Sequence, residues 1–153
     1  INAGCRDGEL DVRGISHRGY FASITDFKSY HDANMDLIDY KTATDLFHDN
    51  WPIYTRTNNS CPTHYFDTAN VSNSVISNGS MIEGTVENSI VGRGCTIKKG
   101  AVIKNCVVLA DCTIGENVHI ENLVVDKHAK ITHAKEIISP AGEPGYIKRN
   151  DTL

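Results

Sequence analysis

The stretches Asn88-Ser-Ile-Val-Gly-Arg-Gly-Cys-Thr-Ile97 and Asn105-Cys-Val-Val-Leu-Ala-Asp-Cys-Thr-Ile114 carry the pattern that decides the fold. Each stretch begins with asparagine, continues into aliphatic residues and reaches an isoleucine nine residues later. The same arrangement begins at Asn73 and Asn122, so the four asparagines are spaced 15, 17 and 17 residues apart. Self-similarity at a nearly fixed period of this length indicates a solenoid.

Within each repeat, aliphatic residues recur about every six positions. They stand at Val91, Ile97, Ile103, Val108, Ile114, Ile120, Val125, Ile131 and Ile137. Small or β-branched residues stand four positions after most aliphatic positions, and they include Ser80, Cys95, Ala101, Cys112 and Ala129. This hexapeptide pattern predicts an all-β fold, a single-stranded parallel β-helix over residues 70–138, in which each hexad forms one side of a triangular coil. The coil from Ile76 to Val91 is two residues short, which predicts one irregular corner.

The aliphatic positions above are predicted to point into the prism and define its inward phase. Side chains outside this phase have their own predicted roles. The four asparagines are predicted to stack as a ladder, with amide hydrogen bonds between successive coils. Ile90, Val102 and Leu123 do not fit the inward phase, and side chains alternate along a strand, so they are predicted to point outward. Exposed aliphatic residues on a rigid wall are typical of an interface, and these three are predicted to form one.

The rest of the chain divides into three shorter regions. Residues 1–50 are predicted to form a strand at 19–24, a helix capped by Thr25 or Asp26 that runs to about Tyr40, and further helical turns within 42–49. Residues 51–69 are predicted to be a linker, extended at 51–55 because Pro52 disfavours helix at the residue before it. Residues 139–153 are predicted to cap the β-helix, with a last short strand near Tyr146.

Composition excludes several classes of function. The net charge of −4 gives no electrostatic footprint for nucleic acid or an anionic membrane, and no apolar run is long enough to span a bilayer. The five cysteines are odd in number and lack Cys-x-x-Cys spacing, which favours free thiols in a reducing cytoplasm over a disulfide framework. Because the chain begins with Ile1 rather than methionine, we expect it to be a piece of a longer protein.

Several segments together resemble glucose-1-phosphate adenylyltransferase. Ala33-Asn-Met-Asp-Leu37 is similar to the end of its nucleotidyltransferase domain, and Trp51-Pro-Ile-Tyr-Thr55 is similar to its linker. Glu83-Gly-Thr-Val-Glu-Asn-Ser-Ile90 and Lys99-Gly-Ala-Val-Ile-Lys-Asn105 are similar to its C-terminal β-helix. The resemblance implies a left-handed β-helix that follows the remnant of an α/β nucleotidyltransferase domain. It also implies a part in glycogen biosynthesis, where the full enzyme makes ADP-glucose from ATP and glucose 1-phosphate with magnesium.

One position departs from the catalytic members of this family. Their Tyr-Trp-x-Asp-x-Gly-Thr motif supplies an aspartate that helps to bind magnesium, and Ser23 stands where that aspartate is expected. A neutral hydroxyl does not replace a carboxylate on Mg²⁺. The chain therefore resembles most the non-catalytic GlgD-type subunit, with no catalytic residue or cofactor of its own, and its implied partner is a catalytic subunit in a homo- or hetero-oligomer.

Other features of the sequence leave further hypotheses about function and ligand binding open. The same module from a catalytically active subunit is the first alternative, and a hexapeptide-repeat acyltransferase is a weaker one, because one fold hosts several functions. His128 and His133 lie five residues apart, as paired zinc ligands do in a carbonic anhydrase class of this fold, but no histidine stands where the third ligand is expected. Lys41, Arg56 and His64 near the linker are candidate ligands of an effector, and the alternative for them is solvated surface charge.

Overall fold

The computed structural model describes residues 2–8, 10–50 and 52–153, so Trp51 of the predicted extended segment lies outside the described residues. Helix α1 spans Asn2–Arg6, α2 spans Phe27–Met35, a 3-10 helix spans Asp36–Ile38 and α3 spans Tyr40–Leu46. Everything regular after residue 63 in the described chain is β-structure. Regular structure is therefore helical in the N-terminal third and forms one solenoid from His64 onward.

Fifteen short strands in the described residues form three parallel sheets of five, and each sheet takes every third strand. Sheet A contains β1 His64–Tyr65, β4 Met81–Ile82, β7 Thr96–Ile97, β10 Thr113–Ile114 and β13 Lys130–Ile131. Sheet B contains β2 Asn70–Ser72, β5 Thr85–Glu87, β8 Val102–Lys104, β11 His119–Glu121 and β14 Glu136–Ile138. Sheet C contains β3 Val75–Ile76, β6 Ile90–Val91, β9 Val107–Val108, β12 Leu123–Val125 and β15 Gly145–Ile147. The predicted parallel β-helix is confirmed, and its paired strands extend from His64 to Ile147.

The core is a set of aliphatic columns inside the prism. The inward positions of successive coils pair in register, as Ile97, Ile114 and Ile131 do in sheet A. Among the predicted inward residues, those from Val91 to Ile131 are fully buried, and each contributes about 1.5–3 kcal/mol by burial. Ile137, in the last coil, is only partly buried. Cys95, Ala101, Cys112 and Ala129 fill the small-residue positions and are likewise buried, as predicted.

The predicted asparagine ladder is confirmed at the corner between sheets B and C. The Nδ2 of Asn73 donates to Oδ1 of Asn88 at 2.8 Å, and the Nδ2 of Asn88 donates to Oδ1 of Asn105 at 3.1 Å. Asn105 donates to Oδ1 of Asn122, and the Asn122 amide ends the ladder on the carbonyl oxygen of Ser139 at 2.8 Å. All four asparagines have φ between 42° and 55°, the left-handed region that asparagine tolerates better than most residues. The repeat therefore requires asparagine for backbone conformation as well as for hydrogen bonding.

The irregular corner predicted for the short coil lies between β4 and β5. Met81 pairs with Thr96, and Thr85 pairs with Val102. The step from Met81 to Thr85 is four positions, whereas the step between their partners in the next coil is six positions. Gly84 occupies the tight corner, where a Cβ would lie 2.5 Å from the carbonyl oxygen of Ala101. The shorter turn is therefore possible because glycine lets two backbones approach closely.

The N-terminal region differs from its prediction in two respects. The strand predicted at 19–24 is wrong, because these residues are described without regular structure and no neighbouring strand pairs with them. The predicted long helix begins as expected after Asp26 but ends at Met35. Asp39 then accepts a hydrogen bond from the backbone N–H of Thr42 and starts α3, so a second cap divides the predicted helix.

The C-terminal tail adds backbone pairing to the end of the solenoid. The strand expected near Tyr146 is β15, which pairs in parallel with β12. The last residues then add to β13, where the N–H of Lys130 donates to the oxygen of Asp151 at 2.8 Å and the N–H of Leu153 donates to the oxygen of Lys130 at 2.9 Å. These bonds occupy the open edge of sheet A that the end of a β-helix would otherwise expose.

Candidate interface on sheet C

The outward side of sheet C carries a column of apolar residues that runs along the solenoid axis. This column, called the sheet C strip below, consists of Val75, Ile90, Val107, Val124 and Tyr146, which are paired from coil to coil. Its exposure changes along the axis: Val75 is 43% exposed and Ile90 is half-buried, whereas Val107 and Val124 are buried. Part of the strip is therefore already covered by the chain itself.

Helix α2 packs against β9 and covers the middle of the strip. The Nε2–H of His31, a residue only 5% exposed, donates to the carbonyl oxygen of Asn105 at 3.0 Å. One turn earlier on the same helix face, the ring of Phe27 lies edge-on to Tyr146 with centroids 5.4 Å apart. Sequence reasoning did not predict this contact, although the spacing of Phe27 and His31 by four residues placed both on one face of a helix.

The sequence of α2 fixes where the helix begins. The side chain of Asp26 accepts from the N–H of Ser29 at 2.7 Å, while the N–H of Asp26 donates to the Ser29 hydroxyl at 3.0 Å. This reciprocal capping box satisfies two backbone donors at the start of the helix. The hydrogen bonds from Ser29 hold the pKa of the Asp26 carboxyl below its usual range.

The three predicted interface residues have different positions. Ile90 and Val102 point outward and are half-buried, on sheets C and B respectively. The prediction for Leu123 is wrong, because this residue is only 1% exposed and belongs to the core. Side chains alternate along β12, so Leu123 shares the inward phase of Val125.

The three predicted effector ligands are not brought together. Lys41 on α3 lines a surface pocket that also contains Arg18, Tyr20 and Asp45. Arg56 lies in a separate pocket beside the solenoid, where Arg93 donates to its carbonyl oxygen at 2.9 Å. His64 stands on β1 with its ring edge-on to Phe66 at 4.5 Å. Their role as effector ligands stays a prediction.

In the described part of the chain, no group of three or more histidine, cysteine or acidic residues is arranged to hold a metal ion. Ser23 is exposed and lies outside any helix or strand. Its neutral hydroxyl does not supply the charged carboxylate that is expected of a magnesium ligand. His128 occupies a coil corner with φ of 63°, and its Nδ1 lies 3.7 Å from Asp111 Oδ2. His133 is exposed.

The cysteines fall into two groups according to burial. Cys5 and Cys61 are exposed, whereas Cys95, Cys106 and Cys112 are buried, and all five are free thiols. Burial raises the pKa of Cys106 to about 12. The neighbouring Cys112 thiol, together with burial, raises the pKa of Cys95. The buried thiols act as small apolar side chains of the core.

The stacked hexad coils and the asparagine ladder place the chain in the class of hexapeptide-repeat β-solenoids. The sequence profile described as GlmU-like, C-terminal hexapeptide matches residues 62–140, and the chain belongs to this family. None of the helices in the described part of the chain has the length and apolar character needed to cross a membrane.

The curated relatives share one area of metabolism. The chain is 42% identical over 86 residues to a glucose-1-phosphate adenylyltransferase of Geobacillus stearothermophilus, with 56% of this chain and 22% of the relative covered. It is 36% identical over 140 residues to the glycogen biosynthesis protein GlgD of Bacillus subtilis, with 92% of this chain and 41% of the relative covered. A Bacillus mycoides glucose-1-phosphate adenylyltransferase is 36% identical over 107 residues, with 70% of this chain and 28% of the relative covered. The chain therefore spans less than half the length of these relatives.

Proposed function

We propose that this chain is the C-terminal assembly and regulatory module of a glucose-1-phosphate adenylyltransferase-type subunit in cytoplasmic glycogen synthesis. The observation that carries the proposal is the uncovered end of the sheet C strip. Val75 and Ile90 continue the apolar column whose middle α2 already buries, so a second surface that packs there extends an existing core. The proposed partner is the catalytic subunit, with a second copy of this chain as the other outcome of the test.

Further exposed apolar residues lie in the first two coils, outside the sheet C strip. Tyr65, Phe66 and Met81 are exposed in the first two coils, at the same end of the solenoid as Val75. Exposed apolar groups on a rigid scaffold are characteristic of protein interfaces. A charged side chain in the strip should therefore oppose assembly, since it would have to be desolvated against an apolar partner.

The experiment is light scattering of the chain alone and with a catalytic glucose-1-phosphate adenylyltransferase. Ile90→Lys should weaken the association by at least about tenfold, since burial of a lysine without a partner costs more than about 1.4 kcal/mol. Thr113→Lys is the matched control, because Thr113 also precedes an inward isoleucine on a two-residue strand but points outward from sheet A, two coils beyond Met81. A chain that stays monomeric with and without the catalytic subunit would contradict the proposal.

The related proposal concerns catalysis. We infer that the chain has no adenylyltransferase activity and holds no cofactor of its own, because Ser23 offers no carboxylate for magnesium. The alternative, a module from an active subunit, is favoured only by the similarity to the adenylyltransferase relatives. Incubation with ATP, glucose 1-phosphate and magnesium should release pyrophosphate at the rate of a blank without protein. Release above that blank, abolished by Ser23→Ala, would favour the alternative.

A further inference from the structure

The Phe27–Tyr146 contact joins the first long helix to the last strand of the solenoid. Both rings are partly exposed, and they meet edge-on with an interplanar angle of 76°. The hydroxyl of Tyr146 donates in turn to Oδ2 of Asp126 at 2.7 Å. Tyr146 therefore links α2 to the corner that follows β12.

Helix α2 also covers the junction by which β15 is attached to the solenoid. The N–H of Gly145 donates to the carbonyl oxygen of Asn122 at 2.9 Å, and the Asn122 amide donates to the oxygen of Ser139 at 2.8 Å. A cavity of about 140 Å³ lies between α2 and this junction, with His31 and Met35 on one side and Gly142 and Pro144 on the other. The helix thus lies beside the 139–144 loop that leads into β15.

The last coil has a neighbour on one side only. In a solenoid each coil is stabilised by its own residues and by the interfaces to adjacent coils, so a terminal coil lacks one of these interfaces. In this protein the residues that follow β15 fold back onto β13, and α2 packs against Tyr146. The helix therefore adds a lateral contact to the last coil, on the outward side of sheet C.

We propose that α2 is a latch for the terminal coil, such that undocking of α2 loosens β15 and residues 148–153 while the central coils stay folded. The contact gives a route by which displacement of the N-terminal segment reaches the far end of the chain. By thermodynamic linkage the effect is reciprocal, so loosening the terminal coil also loosens α2. The latch is independent of the assembly role proposed above, because it needs no second chain.

The test is amide hydrogen exchange measured by mass spectrometry on the whole chain. Phe27→Ala should accelerate exchange in residues 145–153 by about three- to tenfold, as expected for loss of one aromatic pair. Tyr146→Ala should accelerate exchange in α2 by a similar factor. Peptides covering β4 and β7, on sheet A, are the internal reference and should keep their rates. Phe47→Ala is the matched control, because Phe47 is 54% exposed at the end of α3.

A second variant keeps the test decisive if Phe27→Ala disturbs the whole fold. Phe27→Leu retains an apolar side chain and removes the aromatic edge, so it should reproduce the local pattern with a smaller factor. Unchanged exchange in residues 145–153 with both variants would overturn the proposal. Equal acceleration in every peptide with both variants would also overturn it, because the terminal coil would then not open separately.

Discussion

At the scale of single residues, the corner asparagines combine two requirements in one side chain. Each asparagine adopts a left-handed backbone conformation, and each amide bonds to the next coil. Other L-residues lose roughly 1–2 kcal/mol in this conformation, and a net hydrogen bond contributes roughly 0.5–1.5 kcal/mol. The recurrence of asparagine therefore reflects backbone geometry as much as polar pairing.

These two contributions can be separated at Asn105. Asn105→Ala should lower the free energy of unfolding by about 2–4 kcal/mol, because it removes the ladder bonds and places a Cβ residue at φ of 49°. Asn105→Gly removes the same bonds without the strain and should cost about 1–2 kcal/mol less. Urea titration followed by circular dichroism gives both values. Equal losses for the two variants would show that backbone strain is not important at this corner.

A second residue-scale prediction concerns acid stability. The hydrogen bond from the Tyr146 hydroxyl, followed by that from the N–H of Lys127, lowers the pKa of Asp126. The native state therefore favours the charged carboxylate, and this stabilisation is present above the unfolded pKa of about 3.9. It is lost as the pH falls further through the lower folded pKa. Tyr146→Phe should make the decline in unfolding free energy between pH 5 and 3 shallower.

The pH measurement has an internal check. Tyr146→Phe preserves the aromatic ring that faces Phe27 and removes only the hydroxyl. The variant and the parent chain should therefore differ most near neutral pH and converge in acid. Parallel curves over the whole pH range would contradict a role for the Asp126 carboxylate.

At the scale of elements, the solenoid depends on corners of matched length. The coil that contains β4 and β5 turns in two fewer residues than the next, and Gly84 makes this possible because the backbone of Ala101 passes close to its Cα. The geometry leaves no space for a side chain at this point. The irregular corner is therefore closely packed, although the sequence shows it only as a coil that is two residues shorter than the others.

Gly84→Ala tests the packing of this corner. The added methyl would lie 2.5 Å from a backbone oxygen, which cannot move without displacing a strand, so we expect a loss of about 1–3 kcal/mol in unfolding free energy. Gly14→Ala is the control, because no atom lies within 4 Å of the place that a Cβ would take there, and it should change stability by less than about 0.5 kcal/mol. Chemical denaturation distinguishes the two. Similar stabilities would mean that the corner relaxes freely.

At the scale of the whole molecule, stability comes from stacking, since no coil can bury its own faces. A charge in the central coil should therefore disrupt the interfaces on both sides. Ile114→Asp buries an unpaired carboxylate at a fully buried position and should abolish the cooperative thermal transition seen by circular dichroism. Thr113→Asp, one residue earlier and pointing outward, should retain the transition. An Ile114→Asp chain that melts like the parent would refute the inward placement.

The sequence by itself determined the parts of this protein that repeat. The inward phase, the small-residue positions and the asparagine ladder follow from alternation within a strand and a constant number of residues per coil, and both are local properties of the chain. The short coil was also visible, as a spacing of 15 instead of 17 between Asn73 and Asn88. Family membership follows from the same repeated residues.

Only the tertiary structure decided what lies on the outside of the solenoid. Leu123 begins a run of three apolar residues, which has no alternation to set its phase, and only its position in β12 places it in the core. Gly19 to Ile24 has the residues of a strand, but no neighbouring chain in the described structure pairs with it. The docking of α2 on sheet C depends on contacts between residues far apart in sequence. Such contacts leave no periodic signal, because they are made once rather than in every coil.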